Sequence, residues 1–254
     1  MVQKAQRTPT ARRAAQEGPA PTARQVPTPP TAPTARQAPT ARQTVATPVG
    51  DARISWYEAA GARGVLALSH GAGGGVEARD LAALATALPP YGVTVALVEQ
   101  PWRVAGKKVA PAPRTLDAAW SALWPALAGP SLPVVAGGRS AGARVACRTA
   151  GPLGAAAVLA LAFPLHPPGR PDTSRADELA LAAGAGPLLV VQGGNDPFGR
   201  PGDFPPAHRP AEIPFADHGF AVPKRAPLTQ EAALLRLTGT VRAWLTGLGH
   251  IRRE

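Results

Sequence analysis

A chain of 254 residues that is 45% hydrophobic is long enough to bury one large core or two small ones. Its single cysteine, Cys147, excludes an internal disulfide and any cysteine cage for a metal. The net charge of +11 is uneven: residues 1–50 hold seven Lys/Arg against one acid, Glu17, so about half of the excess sits in a tail.

The tail repeats Pro-Thr-Ala-Arg from Pro9, Pro21, Pro33 and Pro39. It has no aromatic, leucine or isoleucine with which to offset the entropy of ordering. A disordered segment over 1–50 with polyproline II bias is the expectation, followed by one folded domain over 51–254. Three readings of the tail stay open: loose contact with nucleic acid through its arginines, a linker or tether, and a start codon placed too early. Its Arg-rich, acid-poor composition would also suit an organellar address, but the prolines oppose the helix such an address needs. If the tail is unpacked, residues 51–254 alone should melt with the full chain. No apolar run approaches the ~18 residues of a membrane span. The N-terminus also lacks a secretory apolar core. The expectation is a cytoplasmic protein without a membrane partner.

From Asp51 the composition changes. Residues 54–59 read as a first strand and 64–70 as a buried strand leaving into a glycine loop, 71–75. Residues 76–88 carry Leu81, Leu84 and Leu88 at helical spacing and stop at Pro89-Pro90. A buried strand over 93–98 precedes a basic Pro/Gly loop over 101–114. If that loop overhangs a pocket, it favours anionic substrates. Residues 116–124 read as a helix. Then come a strand over 132–138 and a helix over 141–150. A strand over 155–163, a short helix over 177–183 and a strand over 187–192 follow. A short strand over 211–215 and an amphipathic helix over 228–248 end the chain. Apolar strands alternating with helices, without clean polar alternation, predict an α/β fold: a mostly parallel sheet covered by helices on both faces.

In such sheets chemistry gathers at the carboxyl ends of strands. Gly138, Ser140 and Gly142 form Gly-x-Ser-x-Gly between an apolar strand and a small-residue helix. A strand that turns this sharply needs small neighbours, and it lifts one hydroxyl to the sheet edge. Ser140 is therefore the candidate nucleophile. His218 follows a strand-like run and leaves room for one closing helix. It is preferred as general base over His70, His166, His208 and His250. Asp196 ends a strand and is the candidate acid, with Asp172 and Asp203 as fallbacks. Asp217 neighbours His218 in sequence, and adjacent side chains diverge.

The glycine loop after His70 has a rival reading as a dinucleotide site. It fails on spacing, because the sixth position of Gly-x-Gly-x-x-Gly is Val76. No metal or organic cofactor is implied. The loop instead suits backbone donors facing Ser140, with Gly71 and Gly73 admitting a substrate carbonyl and Arg139 beside it as a further substrate contact.

These stretches together resemble the α/β-hydrolase superfamily, in its small dienelactone-hydrolase-like branch. More narrowly they resemble bacterial relatives of a group that includes testis-expressed proteins and a histone-acetylation-complex subunit. The resemblance covers residues 52–248. It rests on SHGAGGG (69–75), residues 101–120, GGRSAGARVACR (137–148), QGGNDPFG (192–199) and FADHGF (215–220). It implies Ser140, Asp196 and His218 as a catalytic triad and the N–H groups of Ala72 and Ala141 as an oxyanion hole. It also implies no large lid domain and a small acyl compound as substrate. Some relatives serve as complex subunits, so a non-catalytic interaction module is the alternative.

Overall fold

The structure is a computed structural model that describes Met1 and residues 37–250. The expected disordered tail lies outside the described residues from 2 to 36. The described residues from 37 onward belong to one compact unit.

Eight strands form one sheet in the order β1-β2-β4-β3-β5-β6-β7-β8. They are β1 (Ala41–Thr47), β2 (Gly50–Tyr57), β3 (Gly64–Ser69), β4 (Val93–Glu99), β5 (Val134–Arg139), β6 (Ala157–Leu161), β7 (Leu188–Gly193) and β8 (Ala211–Ile213). β1 and β2 form an antiparallel hairpin, β2 runs antiparallel to β4, and the other pairs are parallel.

The buried strands lack polar alternation because both faces are covered. In β3, Val65 and Ala67 face one core layer while Leu66 and Leu68 face the other. β6 divides likewise, with Val158 and Ala160 against Leu159 and Leu161. Helices α1 (Arg79–Ala87) and α6 (Gln230–Gly247) cover one face. α3 (Pro113–Ala128), α4 (Ala141–Leu153) and α5 (Ala176–Ala185) cover the other. A short α2 (Pro101–Val104) stands inside the segment expected to be a loop. Proline at the first position of both α2 and α3 is preset for a helix start.

Charged side chains clamp the second layer. Arg144 on α4 donates twice to Glu178 on α5, at 2.8 and 2.6 Å. Arg148 donates twice to Asp117 on α3, at 2.9 and 2.6 Å, and once to Glu178 at 3.0 Å. Such two-pronged charged bonds fix geometry as well as adding energy. Between β6 and β7 the only helix is the ten-residue α5, so no lid domain intervenes there.

One expectation is corrected. β1 lies inside the segment assigned to the tail, so the domain begins before Ala41 rather than at residue 51. The strand is an edge, and most of its side chains are exposed. Only Val45 packs against the core, while Gln43 Oε1 accepts from Trp56 Nε1 at 3.2 Å. A polar edge strand bearing the Pro-Thr-Ala-Arg register presents no hydrophobic pattern to read.

Candidate active site

The turn from β5 into α4 holds Ser140 at φ 53°, ψ −115°, in left-handed space that costs a non-glycine residue about 1–3 kcal/mol. The turn closes because its neighbours lack side chains. A Cβ on Gly142 would collide with the Ser69 carbonyl oxygen, and one on Gly138 would come within 2.5 Å of it. The serine therefore sits where β3 and β5 end side by side.

Three strand ends converge here. Ser140 Oγ lies 2.9 Å from His218 Nε2, and His218 Nδ1 lies 2.8 Å from Asp196 Oδ2. With Asp196 as acceptor, Nδ1 carries the ring proton and Nε2 accepts from the hydroxyl. Asp196 is buried and further held by the Phe198 N–H, 2.8 Å from Oδ1, and by Gln192 Nε2, 2.9 Å from Oδ2. Gln192 also donates to Gly199 O at 2.9 Å. Sequence reasoning missed Gln192; its one signal was a polar residue in an otherwise apolar strand end. The Phe198 ring meets His218 edge-on, with centroids 4.5 Å apart. Asp217 turns away: its Oδ1 accepts from Gly219 N and Ala221 N, each at 2.8 Å.

The glycine loop lies against the serine. A Cβ on Gly71 would stand 3.0 Å from Ser140 Cβ and from an Arg139 terminal nitrogen, so the backbone approaches as closely as it can. Gly73 faces open space. Ala72 and Ala141 line the same cavity of about 10 Å³, with Gly71 and Gly142. Ala141 is the first residue of α4, where a backbone N–H has no partner within the helix.

Arg139 corrects a second expectation. It is buried and committed to protein partners rather than presented to a substrate. Its Nη2 donates to the His218 carbonyl at 2.7 Å, and its Nε lies 3.3 Å from Asp80 Oδ2. The Asp80 contact lacks hydrogen-bond alignment, so attraction between opposite charges holds it. Burial pushes the Asp80 carboxyl above its ordinary value, and the Arg139 charge pulls it back.

The rival histidines do other work. His70 accepts from Gln100 N at Nε2, 3.1 Å, and bonds Gly71 O through Nδ1, 2.9 Å. It is the neutral imidazole that props the loop, and burial pushes it below its ordinary pKa. His166 bonds Thr173 O at the surface. Of the fallback acids, Asp203 accepts from Arg200 N in an exposed turn, and Asp172 is exposed. Among the described residues, no group of three or more His, Cys, Asp or Glu could hold a metal ion. No helix among them is long and apolar enough to cross a membrane.

The family model described as "Alpha/beta hydrolase domain" matches residues 62–246. Solved structures share the fold. An alpha-beta serine hydrolase homologue from Coxiella burnetii is 16% identical, covering 83% of this chain and 100% of that one, with a TM-score of 0.64. A serine hydrolase without lid from Xanthomonas campestris is 20% identical over 85% and 97% of the two chains, TM-score 0.61. Dienelactone hydrolase from Anabaena variabilis is 18% identical over 84% and 98%, TM-score 0.62. No curated protein matches the chain in sequence. These matches do not address the narrower kinship with the testis-expressed group.

Proposed function

The chain belongs to the alpha/beta hydrolase domain family, and from that premise we propose that it cleaves a carboxylic ester or similar acyl bond through Ser140. The observation that carries the reading is the continuous relay from Asp196 through His218 to Ser140, with contacts of 2.8 and 2.9 Å. His218 Nε2 takes the hydroxyl proton as Ser140 Oγ attacks the acyl carbon. Asp196 stays ionised, keeps the ring in the right tautomer and stabilises the imidazolium. The negative charge that develops on the carbonyl oxygen falls to the N–H groups of Ala72, in the glycine loop, and of Ala141, the first residue of α4. His218 then gives its proton to the leaving oxygen, and the acyl group remains on Ser140. Water enters, loses its proton to His218 and releases the acid, regenerating the hydroxyl.

A fluorophosphonate probe tests this directly. It should label Ser140, and Ser140→Ala should abolish both labelling and ester hydrolysis while the melting temperature holds. A folded wild-type chain that takes no label would instead support the interaction module.

A further inference from the structure

Gln192 is the polar break in β7, and it is fully buried. Its Nε2 stands within hydrogen-bond reach of Phe163 O at 3.1 Å, Asp196 Oδ2 at 2.9 Å and Gly199 O at 2.9 Å. An amide nitrogen carries two hydrogens, so one of them is shared. Its Oε1 has no hydrogen-bond partner among the described residues. A buried amide oxygen left unpaired is costly. Turning the amide over would be worse, because Oε1 would then face the three acceptor oxygens. The acceptors therefore fix which way the amide points.

Each acceptor belongs to a different part of the site. Phe163 O follows Ala162, a non-glycine residue held at φ 44° where β6 ends. The same strand end receives the Ser140 N–H, 3.0 Å from Leu161 O. Gly199 closes the turn that begins at Asp196, its N–H 3.3 Å from Asp196 O. Inside that turn lies Phe198, whose ring edge meets His218. One buried amide thus ties together the acid, the turn that carries Phe198 and the strand beside the serine.

The carboxylate needs this grip. The last torsion of an aspartate side chain has broad wells, so rotamer preference does not fix its plane. Asp196 Oδ1 accepts from Phe198 N at 2.8 Å, while Oδ2 accepts from Gln192 at 2.9 Å and faces His218 Nδ1 at 2.8 Å. With a donor on each oxygen besides the imidazole, the plane is set before the imidazole bonds to it. Without Gln192, the bond at Oδ1 alone would remain, and the carboxylate would be free to pivot about it. Oδ2 would then leave Nδ1, and the ring would lose the partner that keeps Nε2 ready to accept a proton.

We infer that Gln192 is a positioning residue: its amide sets the plane of the Asp196 carboxylate so that Oδ2 meets His218 Nδ1, and through that pair it governs the transfer of the Ser140 proton. The inference rests on the acyl-hydrolase reading above and adds a residue to its machinery.

The test is a double-mutant cycle in the full chain, read on p-nitrophenyl acetate. Gln192→Met fills nearly the same volume without a donor. It should lower kcat about tenfold to a hundredfold, the loss expected for one hydrogen bond to a charged group, and leave KM within about twofold. Asp196→Ala should cost more. In the Asp196→Ala background, Gln192→Met should change kcat by less than about twofold, because the group it acts through is gone. Should Gln192→Met fail to fold, Gln192→Asn replaces it, retaining the amide but falling one methylene short of Asp196. An unchanged kcat, a raised KM at constant kcat, or the same loss with and without Asp196 would overturn the proposal; the last would mark a purely structural residue. A second readout needs no turnover: the low-field proton resonance of the His218 Nδ1–H, which reports its bond to Asp196. It should be sharp in wild type and broadened or lost in Gln192→Met. If wild type cleaves no ester and takes no fluorophosphonate, the hydrolase reading has failed on its own, and this resonance still decides the clamp. A resonance unchanged in Gln192→Met, or missing from wild type, would overturn it.

Discussion

Replacing Arg139 by methionine removes one guanidinium from a buried site. Two interactions go with it: the 2.7 Å bond to the His218 carbonyl and the 3.3 Å ion pair with Asp80. Asp80 is 0% exposed, so the carboxylate left behind would be buried without its counter-charge. Breaking a buried pair in this way costs about 3–5 kcal/mol. The bond to His218 is worth about 1.5–3 kcal/mol by itself, but the two share a group and do not add. A loss of about 3–5 kcal/mol at pH 8 is the expectation. The sign of its pH dependence follows from Asp80. Burial raises its folded pKa above the ordinary 3.8, with Arg139 opposing. The native state therefore holds the proton more tightly than the unfolded chain, and this contribution falls as pH rises from about 3.8 through the folded value. Removing Arg139 lifts that value further and extends the fall to higher pH. The gap between wild type and variant should thus widen from pH 5 to pH 8. Urea melts at both pH values measure it, and Asp80→Asn in the Arg139→Met background should recover part of the loss. Kinetics separate positioning from substrate contact: loss of the His218 support lowers kcat, whereas a direct substrate contact would raise KM alone. Full stability at pH 8, or a raised KM at constant kcat, would refute the argument.

Other outcomes follow from the same physics. His70 is held neutral by burial with its folded pKa below 6.5, so the stability it contributes is complete above that pH and falls as pH drops from 6.5 to the folded value. In His70→Asn, denaturant melts between pH 7 and 5 should lack this slope; an unchanged slope would assign it to another group. Burial pushes the Cys147 thiol up to about 12, so iodoacetamide at pH 8 should modify it only after denaturation. Rapid labelling of the native chain would mean that α4 opens. A chain starting at residue 51 should melt below one starting at residue 37, because it lacks β1, the Val45 contact and the Gln43 bond to Trp56. Equal melting temperatures would return the domain boundary to residue 51.

The strand ends that bear Ser140, Asp196 and His218 were legible because the constraint on them is local. Gly138 and Gly142 stand beside Ser140 since the turn admits no Cβ, and that requirement is written into three neighbouring positions. The buried strands announced themselves by apolar runs, and the order Ser140, Asp196, His218 followed from which runs end in polar residues. Bounds were less legible. α3 extends from Pro113 to Ala128, past the 116–124 suggested by periodicity, because proline starts it and packing against α4 sustains it.

What the sequence held alone was the class of sheet, the strained serine turn and the three residues that the fold brings into hydrogen-bond contact, all of them consequences of short-range sterics and hydrophobic pattern. Only the tertiary structure decided where Arg139 points. Its partners, Asp80 and the carbonyl of His218, lie 59 and 79 positions away, and no local rule joins them. The same holds for Gln192 behind Asp196, for the edge strand hidden in a polar repeat, and for a cavity walled by a hairpin turn and two helices. Charge pairing and cavity shape depend on distances in space, and the chain sets those only once the sheet has closed.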